Sequence, residues 1–553
     1  MTKPLIQHIT KVPNSPRELG FQYNEWKPFQ KEAIEELIEA RQSGTNVLFL
    51  DAPTSFGKSL IGLSLINILK SRSIIVTSTK YLSSQYQRDY TNLAQIRGRA
   101  NYPCILPEVP EGTTAANAPC QEKGFVCPVA RISPYNLAKA MAVASDAVVT
   151  NYDYLLREAN FVGSLVRPLR GIIIADEAHT IERHVTSFLE INFSNKTMSD
   201  LNLADWVPDY DLDDTQKWLS WAQSLETLIK LQISNIKEDP EANEEELTLR
   251  RFLRNLIRFT DSTPDQWIMD RRNNGTLYAK PVWIKGHFND VIRKHAQTIL
   301  MASATFVSTS DIARYMGIEE PHKTVSYGSN IPLQDRPLYY SPMFHMSKKQ
   351  EKQEFSPADV AHTIDNLIAA YYPLPALIHT VNYTLTKQIT QLSRYRRFMI
   401  SHNEENREVI YQEYMDSKGF KVLISPSLGL GVDFPHKQGL QIICKLPFPS
   451  LGDRQVLARK NQDPSWYNWA TASALEQAYG RGSRVPGHIC DTYIIDSNYG
   501  WFRNSNKHMF SSWFIRAEEN VPIDMVIDFA KRRGEFIRGY RSQHPATPYL
   551  EIA

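Results

Sequence analysis

The stretch FLDAPTSFGKSL (residues 49–60) decides the fold, because it joins an apolar strand pattern to an apolar helical pattern through a loop carrying Gly57-Lys58-Ser59. Backbone N–H groups at a helix start surround a phosphate, a lysine neutralises its charge, and a serine or threonine hydroxyl ligates Mg²⁺. The loop is poor in glycine: Ala52, Thr54 and Ser55 stand where glycine is expected, and Pro53 lacks an N–H. Gly57, Lys58 and Ser59 nevertheless supply the essential half, and Thr54 is counted with them as a nucleotide contact. Read as a bare string, GKS is equally an incidental turn before a helix. Its place between a strand and a helix is what favours the phosphate.

Working outward, further short β-branched runs lie at 73–77 (SIIVT), 146–150 (DAVVT) and 171–175 (GIIIA), each alternating with helical segments. The second half repeats the alternation at 375–380, 397–401, 421–426, 439–446 and 491–496. The expectation is α/β, with two parallel-sheet domains and functional loops at the strand ends. Between the halves, 190–290 has few β-branched runs, holds Trp206, Trp218, Trp221 and Trp267, and reads as helical. There Leu249, Phe252, Leu253, Leu256 and Ile257 fall on one helical face and Arg251, Arg254 and Arg258 on another.

A chain of 553 residues with 42% hydrophobic residues exceeds one core and divides into several domains. Its 62 basic and 60 acidic residues nearly cancel, so net charge neither supports nor excludes a nucleic-acid partner. No apolar run reaches the length of a bilayer crossing and the first residues lack a signal-peptide core, so the expectation is a cytosolic protein with no membrane partner. The expected compartment is the cytoplasm, nucleoid-associated if the protein is bacterial and host cytoplasm if it is viral.

Asp176-Glu177-Ala178-His179 follows the apolar run GIIIA. There one carboxylate holds Mg²⁺ and the next orients an attacking water; a capped helix start with acidic residues is the competing reading. Near the other end, EQAYGRGSR sets Gln477, Arg481 and Arg484 at helical spacing, where two arginines reach a phosphate or simply face solvent.

The order of APTSFGKS, VTSTKYLSSQY (76–86), DEAH, SAT (303–305), GLGVDFP with KLPFPSLGD, and QAYGRGSR resembles the superfamily 2 helicases of the XPD/DinG group over most of the chain. GRANYPC (98–104) before a cysteine cluster and VVTNYDYLL (148–156) before DEAH are particular to that group. The resemblance implies two RecA-like motor domains, with a cysteine-containing insertion and a helical arch insertion in the first. The corresponding limits are 1–92, 136–190 and 286–325 for the first motor domain, 93–135 for the iron–sulfur-type insertion, 191–285 for the arch and 326–553 for the second motor domain. It implies ATP and Mg²⁺ as cofactors: Lys58 and Ser59 bind phosphate and metal, Asp176 holds Mg²⁺, and Glu177 activates water. Gln477, Arg481 and Arg484 complete the site from the second domain. Gln30 takes the adenine-side glutamine position, and Asp433 joins the nucleotide-binding residues. The implied partners are single-stranded and forked DNA, traversed 5′ to 3′.

Relatives often carry a four-cysteine [4Fe–4S] cluster in the insertion, whereas this sequence offers Cys104, Cys120 and Cys127, separated by fifteen and six residues, with Pro128 after the last. A cluster with an unknown fourth ligand, a Zn²⁺ site completed by another residue type, and a loop that binds nothing stand as alternatives. Cys444 and Cys490 read as buried core. Arg99 and Tyr102 beside the first cysteine, the Arg251/Arg254/Arg258 row and the basic segment KRRGEFIRGYR (531–541) are candidate DNA contacts, each with a structural or solvated counterpart. Two other functions compete with a DNA helicase: a DinG-like effector recruited by a partner or RNA-guided complex, and an RNA-directed motor. The ends are expected to carry neither a recruitment domain nor an exonuclease domain.

Overall fold

The computed structural model describes residues 11–544 apart from 54–55, 91–92, 122–124, 202, 204–206, 237–242, 305, 330, 347–355, 404, 427–436 and 484. The chain forms two compact units. The first comprises Met1–Ala52, Gly57–Tyr327 and Ser450–Asp463; the second comprises Pro53–Phe56, Gly328–Pro449 and Pro464–Ala553.

In the first unit the strands are β1 (Val47–Asp51), β2 (Ser73–Thr77), β3 (Ala94–Gln95), β4 (Ala147–Asn151), β5 (Arg170–Asp176), β6 (Ile191–Phe193), β7 (Trp267–Arg271), β8 (Leu277–Pro281), β9 (Ala296–Ser303) and β10 (His322–Ser326). Seven of them make one sheet in the order β10-β1-β9-β5-β2-β4-β3, with every pairing parallel. Val47–Leu50, Ser73–Thr77 and Ile172–Asp176 are buried along their length, as expected of strands covered by helices on both faces. The helix after the loop, α2 (Lys58–Leu69), is apolar almost all round because Leu60, Ile61, Leu63, Leu65, Ile66 and Ile68 are all buried.

The region read as helical contains Thr215–Ile236 and Asn243–Thr260, but also the three-stranded antiparallel sheet β6-β8-β7, which the sequence reading omitted. Trp218, Trp221 and Trp267 are buried there as core, while Trp206 and most of the acidic stretch at 237–246 lie outside the described residues. The arginine row makes contacts within its own unit. Arg251 and Arg254 lie over the Phe161 ring at 5.7 and 5.3 Å, Arg254 also donates to the Asn160 carbonyl, and Arg258 pairs with Asp290 at 3.0 Å. Arg258 and the exposed Arg251 and Arg254 thus make contacts that fasten this region to the unit that carries it.

The second unit holds β11 (Leu338–Phe344), β12 (Ala376–His379), β13 (Met399–Ile400), β14 (Val422–Ser425), β15 (Leu440–Ile443), β16 (Asp491–Asp496) and β17 (Glu518–Asn520). They form a parallel seven-stranded sheet in the order β13-β14-β12-β15-β16-β11-β17. Its core gathers Val360, Ile364, Ile368, Ile378, Ile424, Ile442, Cys444 and Ile495. Cys444 and Cys490 are buried as the sequence indicates, and burial pushes both thiols up.

Candidate active site

β1, β9 and β5 end at one level, with Asp51 opposite Ser303 and Asp176 opposite Ala302. The Ala52 N–H donates to the Ser303 carbonyl at 3.1 Å, so the loop after β1 starts from the same edge as the DEAH turn. This is the carboxyl edge of a parallel sheet, where loops meet without side chains from the strands filling the space.

Gly57 caps α2 with φ 81°, and a Cβ there would lie 2.4 Å from Gln30 Nε2. Backbone and neighbour together restrict that position to glycine. Gln30, buried at the start of α1 (Gln30–Gln42), thereby abuts the loop, and its Oε1 accepts the Lys27 N–H at 2.8 Å. Lys58 is buried, and its Nζ donates to the Ala52 carbonyl at 3.0 Å. Burial raises the Asp51 carboxyl, opposed by a hydrogen bond from Ser326 and by the Lys58 charge.

Asp176 is held at three atoms. Its Oδ1 accepts the Glu177 N–H at 3.0 Å, its Oδ2 accepts the Tyr86 hydroxyl at 3.0 Å, and its backbone carbonyl accepts the Tyr152 hydroxyl at 2.9 Å. Burial and the adjacent Glu177 charge hold its carboxyl up at about 6, with Lys58 and Tyr86 opposing the rise. Glu177 itself takes φ 49°, a left-handed backbone uncommon for a residue with a Cβ and often found where a functional turn is over-determined by its surroundings. His179 Nδ1 lies 3.3 Å from Glu177 Oε2 and 2.8 Å from Ser303 Oγ, tying the acidic turn to the end of β9. The sequence reading quoted Tyr86, Tyr152, His179 and Ser303 inside its motifs and assigned none of them a role.

The donor set fits a Mg²⁺-nucleotide. A helix start is kept open by glycine, a buried lysine lies beside it, and the candidate oxygen ligands Ser59 and Asp176 both lie beside Tyr86, which donates to Asp176.

In the second unit the helical-spacing argument fails, because the helix Pro464–Tyr479 ends before Arg481. Gln477 lies in its last turn, whereas Arg481 sits in the following turn, buried, with Gln438 donating to its carbonyl at 3.0 Å. Thr54, Asp433 and Arg484 lie outside the described residues.

The three cysteines are partly buried, and among the described residues no three His, Cys, Asp or Glu side chains gather as a metal would require. Cys104 belongs to a hairpin closed by the Pro103–Thr114 bridge and by its own N–H to the Thr113 carbonyl at 2.9 Å, while Cys120 lies in the turn Pro119–Gln121. Among the described residues, then, no ligand set for an iron–sulfur cluster or a zinc ion is gathered. Arg99 lies 5.3 Å over the Tyr135 ring and Tyr102 packs edge-on to the same ring, so both brace this loop.

Residues 368–517 match the family model of a helicase C-terminal domain, and residues 24–203 match that of the type III restriction enzyme res subunit. No curated protein matches the sequence. Among solved structures, one titled XPD helicase is similar with a TM-score of 0.59 at 14% identity, and the match covers 90% of this chain and 100% of that one. Xpd4 of S. tokodaii is similar with a TM-score of 0.53 at 16% identity, and a structure titled XPD apo with 0.53 at 13%, over the same shares. At such identities the likeness is one of fold, and it covers both parallel sheets.

Proposed function

We propose that the chain is a superfamily 2 helicase of the XPD/DinG type, which hydrolyses ATP to move 5′ to 3′ along single-stranded DNA and to separate duplex or forked DNA. The observation that supports this best is the meeting, at one sheet edge, of the Lys58 loop, the Asp176–Glu177 turn and Ser303. Bound Mg²⁺-ATP supplies the electrophilic phosphorus and the charge that the site must neutralise. Lys58 and the start of α2 hold the terminal phosphates, and Ser59 and Asp176 hold the metal. Glu177 orients the attacking water and takes its proton, with His179 fixing its carboxylate. Gln477, Arg481 and Arg484 of the second unit take part in turnover on the resemblance alone, as do Gln30, Thr54 and Asp433 in nucleotide binding. The limits of the arch at 191–285 and of the insertion at 93–135 rest on it too. No step runs through a cluster at Cys104, Cys120 and Cys127.

The test is ATP turnover with and without single-stranded DNA or RNA, followed by strand separation of forks tailed at 5′ or at 3′. Stimulation by DNA and unwinding from the 5′ tail are expected; stimulation by RNA alone would replace this reading with the RNA-directed one. Lys58→Ala is expected to lower turnover by at least about a hundredfold while single-strand binding persists. Normal turnover in that variant would end the motor assignment.

A further inference from the structure

Tyr86 lies in α3 (Lys80–Asp89), the helix that follows β2, and is buried with only 5% of its surface exposed. Its hydroxyl donates to Asp176 Oδ2 at the end of β5, at 3.0 Å, and lies beside the Ser59 side chain in the first turn of α2, so it faces groups on two different elements. We propose that Tyr86 is a positioning residue for the metal, setting the Ser59 hydroxyl and the Asp176 carboxylate at the separation Mg²⁺ requires. This rests on the ATPase reading above and deepens it.

The geometry leaves the carboxylate with its remaining lone pairs available to the ion. Oδ1 is oriented by the Glu177 N–H and the main chain by Tyr152, so the Tyr86 hydroxyl fixes the remaining rotation of the carboxylate plane. A phenylalanine keeps the ring that packs beside Tyr90, at 6.4 Å between centroids, and loses only the hydroxyl. Partners that orient a metal's ligands typically change its affinity when removed, by about tenfold or more.

The experiment compares wild type with Tyr86→Phe in the full chain. Two readouts are independent of turnover: the affinity for a fluorescent ATP analogue without divalent metal, and Mn²⁺ binding to the nucleotide complex followed by electron paramagnetic resonance. A third is the Mg²⁺ dependence of turnover. The expected result is unchanged metal-free nucleotide affinity, Mn²⁺ binding weakened about tenfold, and a Mg²⁺ half-saturation raised about tenfold with kcat at saturating Mg²⁺ largely restored. Unchanged Mn²⁺ binding, tighter Mn²⁺ binding, or a kcat loss that Mg²⁺ does not repair would each overturn the inference. A wild-type protein that binds no nucleotide and turns over none would instead overturn the ATPase reading, so the two failures are distinct.

Discussion

His379 shows how far one buried side chain sets a property of the molecule. It ends β12, and its Nε2 lies 2.6 Å from the Gln441 amide nitrogen; burial, and secondarily the Arg481 charge, push the imidazole down to about 3. The unfolded chain takes up this proton near the ordinary value of about 6.5, and the folded one does not. Stability from this group is therefore complete above about pH 6.5 and is lost as pH falls from there toward 3, by about 1.4 kcal/mol for each pH unit inside the window. His379→Gln keeps a hydrogen-bonding side chain that does not titrate. Thermal melts at intervals from pH 7 to pH 4 are expected to show a shallower acid fall for the variant than for wild type. Parallel curves would mean that His379 is not neutral in the fold. At this scale the sequence was informative only where chemistry is spelled by neighbours in the chain. Gly57-Lys58-Ser59 and Asp176-Glu177 are such cases, whereas Tyr86 reaches the same site from 90 residues away and His379 meets Gln441 across 62.

Elements were legible where burial writes a simple pattern. Strands covered on both faces read as unbroken apolar runs, which is why β1, β2, β4, β5, β12, β14, β15 and β16 fall where the residue patterns place them, as does the short β13. The same rule hides β10 and β17, edge strands with polar sequences, whereas the buried β9 was read only for its small-residue end. Charged helices mislead in the opposite sense, since a row of arginines looks solvated until its acceptors are known. The C-terminal helix Val526–Gln543 buries Val526, Ala530, Gly534 and Ile537, and three of its arginines make internal contacts. Arg533 pairs with both oxygens of buried Asp491 at 2.9 and 2.8 Å, Arg538 donates to the Ala370 carbonyl at 2.7 Å, and Arg541 donates to the Lys437 and Gln438 carbonyls. Among the described residues, Arg533→Ala leaves the buried Asp491 carboxylate with only the Tyr371 hydroxyl as a side-chain donor, and is expected to cost about 3 kcal/mol of stability. Denaturant titration measures that loss. The salt dependence of single-strand binding should stay as in wild type, and a flatter salt slope would return Arg533 to the nucleic-acid contacts.

At the scale of the whole molecule, the path of the chain departs from a simple succession of domains. The segment Ser450–Asp463 is flanked on both sides by sequence of the second unit, yet it belongs to the first. Nothing in its composition, LGDRQVLARKNQD, signals this, because the contacts are made with residues more than a hundred positions earlier. In its helix Arg454–Gln462, Arg459 pairs with Glu182 at 2.8 Å, donates to the Val282 carbonyl at 2.5 Å and lies 5.0 Å over the Trp283 ring. Gln455 donates to the Pro281 carbonyl at 2.6 Å and Gln462 to the Asp265 carbonyl at 2.7 Å, so the helix runs along the β7–β8 hairpin as a further layer. Arg459 is the best buried charge of the set, at 8% side-chain exposure, and its loss removes an ion pair, a hydrogen bond and a ring contact together. Native-state cleavage reads such a change directly, because a protease cuts what opens locally and the rate follows the population of the open form. In wild type, trypsin should reach Arg454 and Lys460 slowly. In Arg459→Ala the same cuts are expected about tenfold faster, which corresponds to about 1.4 kcal/mol less local closing free energy. Cleavage elsewhere in the two sheets should keep its wild-type rate. Equal rates at Arg454 and Lys460 in both proteins would show that this segment is held by its ends and not by Arg459.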